Sequence, residues 1–201
     1  MSDESRPHTD TPAPGHFLSV VTHLEMTRPP VGEPPSPPTP GVSLELWESP
    51  DLEAYLALFH RVGDPWLWHG RLEDDTGTIL RKIQADTTRI WRLFSNGRIA
   101  GFCETDFSVA GEVEVVYCGL APGHAGSGLG GYLLRSVLWK VWRDGVRRVW
   151  LHTCSEDHPG AIDFYRHLGF EPFDRTKEWI HDPRLRGLLP RDAAPHVPLP
   201  E

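Results

Sequence analysis

The segment Gly119–Trp142, GLAPGHAGSGLGGYLLRSVLWKVW, places six glycines in its first thirteen residues and then turns into an apolar helical pattern. Glycine is a poor helix former and lets the backbone reach conformations other residues avoid. Upstream, GEVEVVYCGL (Gly111–Leu120) reads as a strand. Downstream, Leu133, Leu134, Val137, Leu138 and Val141 define the apolar face of a helix expected over Leu129–Asp144, with Gly145 ending it. Strand, tight glycine turn and helix together make an anion site. The first helical N–H groups lack internal partners, the helix dipole favours negative charge there, and missing side chains let a phosphate reach the main chain. Gly126, Gly128, Gly130 and Gly131 are suitably spaced for this, with Ser127 and Leu129 between them. The plain alternative is a tightly packed loop with no ligand, but four glycines cost helix stability without an obvious packing return.

Neighbouring residues narrow the kind of phosphate. No Gly-Lys-Ser/Thr is present, which excludes a P-loop. Gly126, Gly128 and Gly131 satisfy the dinucleotide pattern G-x-G-x-x-G literally. In a dinucleotide fold, however, the first glycine follows its strand almost at once, whereas APGHA (Ala121–Ala125) intervenes here. A nucleotide-dependent oxidoreductase therefore stays as a rival class, weakened by this spacing and by the antiparallel pattern upstream.

Working outward, TRIWRLFSNGRIAGFCETDF contains two alternating runs around Asn96-Gly97, a strong signal for a two-residue hairpin. Val42–Trp47 reads as a strand, and a helix follows in SPDLEAYLALFHRVG, with Ser49 as expected cap, Pro50 in the first turn and Gly63 as stop. DPWLWHGRLEDDTG reads as irregular or short-helical and TILRKIQA as a helix. Arg147–Cys154 reads as a buried strand, PGAIDFYRHL as a helix stopped by Gly169, and FEPFDRTKEWIH as the last strand material. Before the hairpin, residues 1–16 are polar and are expected to be disordered. Residues 17–41 combine a strand, Phe17–Met26, with a proline-dense connector, Thr27–Gly41. Residues 42–181 form the compact domain, and 182–201 read as a proline-rich tail.

GLAPGHAGSGLGGYLL resembles the acetyl-CoA pyrophosphate loop of the GNAT superfamily of N-acetyltransferases, motif [RQ]-x-x-G-x-[GA]. Gly128 and Gly130 match its last two fixed positions, and Ala125 stands where Arg or Gln is usual. AIDFYRHLGF (Ala161–Phe170) resembles the second signature, a helix carrying Tyr before Gly-Phe, with His158 where an Asn is common. The resemblance runs over roughly Val42–Phe173. It implies an α/β (α+β) GNAT fold: a central, mixed, mostly antiparallel twisted sheet of six to seven strands with helices on both faces. It further implies acetyl-CoA as acetyl donor and transfer to a primary amine by direct attack in a ternary complex; that no metal is expected rests instead on ligand spacing.

Such a transfer makes demands on particular residues. An alkylammonium has a pKa near ~10, so a base must take its proton for attack at neutral pH. Strand alternation puts Glu112, Glu114, Val116 and Cys118 on one face. Glu114 heads EVVYCGL, which resembles the strand that carries a general base in the histone-modifying branch. Glu114 is thus the expected base, and Glu112 is the runner-up beside the acceptor. Glu104 and Asp106 add acidity to the cleft. Tyr165 matches the family tyrosine that can protonate the departing sulfur. The resemblance assigns the main chain of Cys118, Gly119 and Leu120 to the pantetheine arm. Gly126, Ser127, Gly128, Leu129, Gly130 and Gly131 fall on the diphosphate. His158 is grouped with these cofactor residues by its place in the motif; from its position alone it caps a helix or touches the acceptor. Trp66 and Trp68 either shape the acceptor pocket or fill core. Cys118 and Cys154 read as small buried residues rather than nucleophiles. His152, Cys154 and His158 are metal-ligand types without a compact fourth ligand.

Composition bounds the rest. The chain has 201 residues, 39 % of them apolar and 24 % charged, with net charge −8, which argues against nucleic acid as main partner. No apolar run approaches the ~18 residues of a membrane span. Three scattered cysteines do not make a disulfide framework. A cytoplasmic protein is expected, acting on a small-molecule or peptide amine. The first strand and connector could join a homodimer interface. The rival of a different class is a non-catalytic acyl-CoA-binding module of the same fold.

Overall fold

The computed structural model describes residues 13–143 and 145–200. Seven strands form one sheet in the order β2-β3-β4-β5-β6-β1-β7. They are β1 His16–Met26, β2 Val42–Leu46, β3 Thr88–Ser95, β4 Arg98–Asp106, β5 Glu112–Leu120, β6 Arg148–Cys154 and β7 Glu171–His181. Every adjacent pair is antiparallel except β5–β6. The mixed, mostly antiparallel sheet expected above is therefore present with seven strands. At the β3–β4 turn Asn96 (φ 50°) and Gly97 (φ 74°) are both left-handed, as a two-residue hairpin of this twist requires.

Helices cover both faces. On one, α1 (Leu52–Gly63) and α2 (Thr76–Ile83) bury Tyr55, Phe59, Val62, Ile79 and Ile83 against Ile90 and Phe102. On the other, α3 (Leu129–Val141) buries Leu133, Leu134, Val137, Leu138 and Val141 against Val113, Val115, Val149 and Leu151, with α4 (Ala161–His167) beside it. Each such side chain, fully buried, contributes about 1.5–3 kcal/mol, so α3 is held by its apolar stripe rather than by its glycine-rich first turn.

Three boundaries differ from the sequence reading. Asp51, not Ser49, caps α1: its carboxylate accepts from the Ala54 N–H at 2.9 Å, while Ser49 sits in a left-handed turn (φ 46°). Gly63 is the last helical residue rather than a stop, and the chain winds straight on into a 3₁₀ turn at Asp64–Trp66. A Cβ at Gly63 would lie 2.7 Å from the Cβ of Trp68, so glycine is needed there for close approach. Finally, α3 ends at Val141, where Trp142 turns extended; Asp144 lies outside the described residues, as do residues 1–12 of the segment expected to be disordered.

The two ends of the chain take places that local pattern does not announce. β1 lies between β6 and β7 and is hydrogen-bonded to both. Both its edges are filled within the chain. The exposed connector then carries the chain back past five strand positions, ~24 Å at the usual spacing, to β2 at the far edge. Beyond β7, the segment expected as a tail packs as a strap. Leu189, Ala193 and Ala194 are buried around Leu67 and Phe17. Arg184 is bidentate to Asp182 and donates to the carbonyls of Ala193 (3.1 Å) and Val197 (2.9 Å). A buried guanidinium with this many partners fixes an otherwise irregular segment.

Candidate active site

β5 and β6 pair only through Glu112–Arg148, Val113–Val149 and Glu114–Trp150. Beyond Glu114 the two strands separate: β5 runs on to Leu120 held by β4, and β6 to Cys154 held by β1. A parallel pair that splits inside a sheet leaves main-chain groups facing a gap, and that gap must be filled by a ligand or water. A bulge in β5 accompanies the split, because Glu104 pairs with Tyr117 but Thr105 with Val115. The extra residue, Val116, resets the alternation. Val113, Val115, Cys118 and Leu120 all pack on the α3 side, whereas Tyr117 packs with α1. The expected shared face is thereby corrected: Cys118 does not lie with Glu112 and Glu114.

The gap opens into a cavity of about 1010 Å³. One end is walled by Cys118–Ala121, Ala125, Gly126, Gly128, Gly130 and Gly131, and by Phe164 and Tyr165 of α4. Gly126 (φ 74°) and Gly128 (φ 78°) are left-handed, and Gly128 is the N-cap of α3 with no side-chain hydrogen bond to the first turn. A Cβ at Gly126, Gly128 or Gly131 would meet nothing within 4 Å, so these glycines face open space; Gly130 packs against Leu120 at 3.6 Å. Four glycines with little packing return and uncapped helical N–H groups suit a diphosphate. Ser127 and Leu129 do not line the cavity with their side chains: Ser127 Oγ donates to the His124 carbonyl at 2.5 Å and Leu129 is buried in the core. Only their main-chain N–H groups are available to a ligand.

Tyr165 lines the same end together with Cys118, its ring against Phe164 and Phe170. Burial, and then Cys118, push its hydroxyl well above the usual phenol range. A proton on that oxygen is held more tightly than a thiol (~8.5) holds its own, so full transfer to a thiolate runs uphill and Tyr165 is suited to donating a hydrogen bond instead. Cys154 is pushed up to about 12 by burial and by Asp157, and is a thiol at neutral pH.

The other end is walled by Phe17, Ser19, Val21 and His23 of β1, His152 and Cys154 of β6, and Glu178 and Ile180 of β7, under a roof of Pro65–Gly70. Trp66 sits edge-on to His158 (5.6 Å) and to His196 of the strap (5.4 Å). His196 Nε2 donates to the Glu156 carbonyl at 2.9 Å, tying strap to site. Trp68 combines both readings: it lines the cavity, packs on Phe59 and Tyr117, and donates from Nε1 to Asp157 at 3.2 Å. His158 lines the cavity and its Nδ1 accepts from the Gly160 N–H at 3.0 Å, just ahead of α4.

The carboxylates divide by environment. Glu112 accepts from Arg148 at 2.9 Å, an ion pair shared with Glu25, and is not a cavity residue. Glu104, expected to add acidity to the cleft, is instead 1 % exposed and bound by Tyr55 Oη (2.7 Å) and Arg71. Arg71 also lies over the Tyr117 ring at 5.4 Å, so this buried group pins the second 3₁₀ turn, Gly70–Glu73, onto β4 and β5. Glu114 differs from these two: the basic group nearest its carboxylate is an imidazole, His152. Burial, then Asp106 and Glu104, push the Glu114 carboxyl up to about 6, against the pull of Arg71. It does not line the cavity itself; His152, which does, stands with Nδ1 4.0 Å from Glu114 Oε1. Among the described residues no group of three or more His, Cys, Asp or Glu side chains is arranged to hold a metal ion.

Residues 44–170 match the family model described as Acetyltransferase (GNAT) family. The chain belongs to that family. Among curated relatives it is 30 % identical over 87 residues to the streptothricin acetyltransferase of Streptomyces lavendulae, covering 43 % of this chain and 46 % of that protein. It is 29 % identical over 165 residues to the mycothiol acetyltransferase of Mycolicibacterium smegmatis, covering 78 % and 55 %. The chain thus spans about half the length of these curated relatives. Its fold is similar to that of a GCN5-related N-acetyltransferase from Sphaerobacter thermophilus (TM-score 0.60, 22 % identity, covering 82 % of this chain and 53 % of that one). It is also similar to the ribosomal-protein-S18-alanine N-acetyltransferase of Escherichia coli (TM-score 0.54, 23 % identity, 66 % and 79 %).

The family span, 44–170, contains the glycine loop, Tyr165 and Glu114 but leaves out β1 and β7. Phe17, Ser19, Val21, His23, Glu178 and Ile180 were not among the residues singled out from sequence. Their alternation in β1 and β7 was visible, but nothing local says that these two strands lie side by side against β6.

Proposed function

We propose that this chain is an N-acetyltransferase that moves an acetyl group from acetyl-CoA to a primary amine of a small molecule or peptide. The observation that carries the reading is the split between β5 and β6, continuous with the open, side-chain-free first turn of α3. Acetyl-CoA, when bound, supplies an acetyl group already activated as a thioester. The residues on hand fit it: N–H groups of Gly126–Gly131 for the diphosphate, and the free main chain of Cys118–Leu120 for the extended arm. Ala125 offers no side-chain contact, so the grip rests on the main chain. Tyr165 donates to the departing sulfur, and Glu114 is the destination of the amine proton. Glu178, Asp157 and the aromatic roof of Trp66 and Trp68 make the opposite end suitable for a cationic, partly apolar acceptor. Curated relatives named for streptothricin and mycothiol acetylation support transfer as the chemistry.

The test is a panel of primary amines with acetyl-CoA, following coenzyme A thiol release and product mass together. Amine-dependent thiol release with an added acetyl mass supports the enzyme. Tight coenzyme A binding without release above background would make the chain a binding module. Stabilisation by NAD but not by coenzyme A would remove both readings.

A further inference from the structure

Glu114 is set back from the cavity, so a proton leaving an acceptor nitrogen needs a carrier, and His152 stands in the intervening position. Strand register explains the placement. Glu114 and Trp150 form the last pair before β5 and β6 part, and His152 is the next residue on the same face of β6. Its ring lines the cavity on one side and reaches Glu114 with Nδ1 on the other, 4.0 Å from Oε1. A movement of ~1 Å brings that pair into hydrogen-bond range. Both members of the pair reach solvent, His152 with 41 % and Glu114 with 28 % of its side-chain surface exposed, so a proton that arrives on the carboxylate can leave to water.

Resting on the acetyltransferase reading, we propose that His152 and Glu114 form a proton-relay dyad. The acceptor N–H bond breaks as His152 Nε2–H forms; the Nδ1–H bond breaks as a proton passes to the Glu114 carboxylate, which releases it to water. The positive charge of the ammonium is cancelled against a carboxylate rather than left on the imidazole. The groups facing His152 fit the role. Burial and His23, opposite it on β1 with ring centroids 5.8 Å apart, favour the neutral ring; Asp157 and Glu178 favour its protonated form. The balance lowers its pKa below the usual imidazole range, so at neutral pH it has a free nitrogen. Asp106, Glu104 and Arg71 face Glu114 and leave its carboxylate mostly ionised at pH 7.

Two readouts test this. In isotope-labelled protein without ligand, the His152 ring is titrated by NMR in wild type and Glu114→Gln; loss of the carboxylate should lower its pKa by about half a unit or more. An unmoved titration overturns the dyad. In turnover with an amine from the panel, His152→Asn and His152→Gln, both checked by melting, should lower kcat at pH 7 by about 100-fold with acetyl-CoA affinity unchanged. The double variant with Glu114→Gln should be no slower than the slower single one; losses that multiply overturn the relay. A wild type silent toward every amine sinks the acetyltransferase reading and the relay with it. An active wild type with an indifferent His152→Asn sinks the relay alone.

Discussion

At the α3 end of the cavity the chain offers main-chain groups, with glycines at 126, 128 and 131 keeping side chains out; at the β1 end it offers side chains, from Phe17 to Ile180. The first end lies inside the span that matches the family, whereas the second takes Phe17, Ser19, Val21, His23, Glu178 and Ile180 from strands outside it. A diphosphate is the same in every coenzyme A, and backbone N–H groups at a helix start recognise it whatever the neighbouring sequence. An acceptor differs between enzymes of one fold, and side chains are the means of telling one from another. The roof joins the ends. Trp68 packs against Gly119 so closely that a Cβ there would lie 3.1 Å from its ring, and it hydrogen-bonds Asp157.

This division can be broken experimentally. The largest effect is expected for Gly131→Leu. Helix propensity improves and the added carbon meets no protein atom, so the variant should melt no lower than wild type. Coenzyme A affinity by calorimetry should nonetheless fall about 10- to 100-fold, because charge-assisted main-chain contacts of about 1.5–3 kcal/mol are blocked. Unaltered affinity would move the donor elsewhere. Next, Tyr165→Phe should slow kcat about tenfold while coenzyme A affinity stays within twofold, since one hydrogen bond to a developing thiolate is lost. Val21→Phe, at the other end, should raise the acceptor KM about fivefold and leave coenzyme A affinity unchanged. A loss of coenzyme A affinity there would show that the two ends are not independent.

The smallest effect concerns stability. The folded-state pKa of Glu114 is raised to about 6 from an ordinary 4.5. A raised carboxyl contributes stability that is fully present below its unfolded value and lost as pH climbs through about 6. Glu114→Gln should therefore be more stable than wild type by about 1 kcal/mol at pH 8 and no more stable at pH 4, measured by urea unfolding. An equal difference at both pH values would separate the stability effect from ionisation.

Legibility of these parts from sequence followed the range of the forces involved. Asn96-Gly97 declared its hairpin because the constraint lies within two residues. The apolar stripe of α3 was readable from Leu133 to Val141 for a similar reason. Alternation placed Glu112 and Glu114 on one face but misplaced Cys118, because the Val116 bulge depends on pairing with β4. Glu104 read as one more acidic group in the cleft, and only the folded chain brings Tyr55 and Arg71 to it.

Residue types and local spacing alone determined a glycine turn that can take a diphosphate, a helix behind it, a meander ahead of it, and a carboxylate and a tyrosine in the family's places. Tertiary structure decided that β1 joins β6 and β7, that the C-terminal segment straps the roof, and that His152 comes between the cavity and Glu114. The reason is physical: dihedral preference and hydrophobic period act over a few residues, whereas strand neighbours and buried charge partners are chosen by surfaces that exist only once the chain has folded.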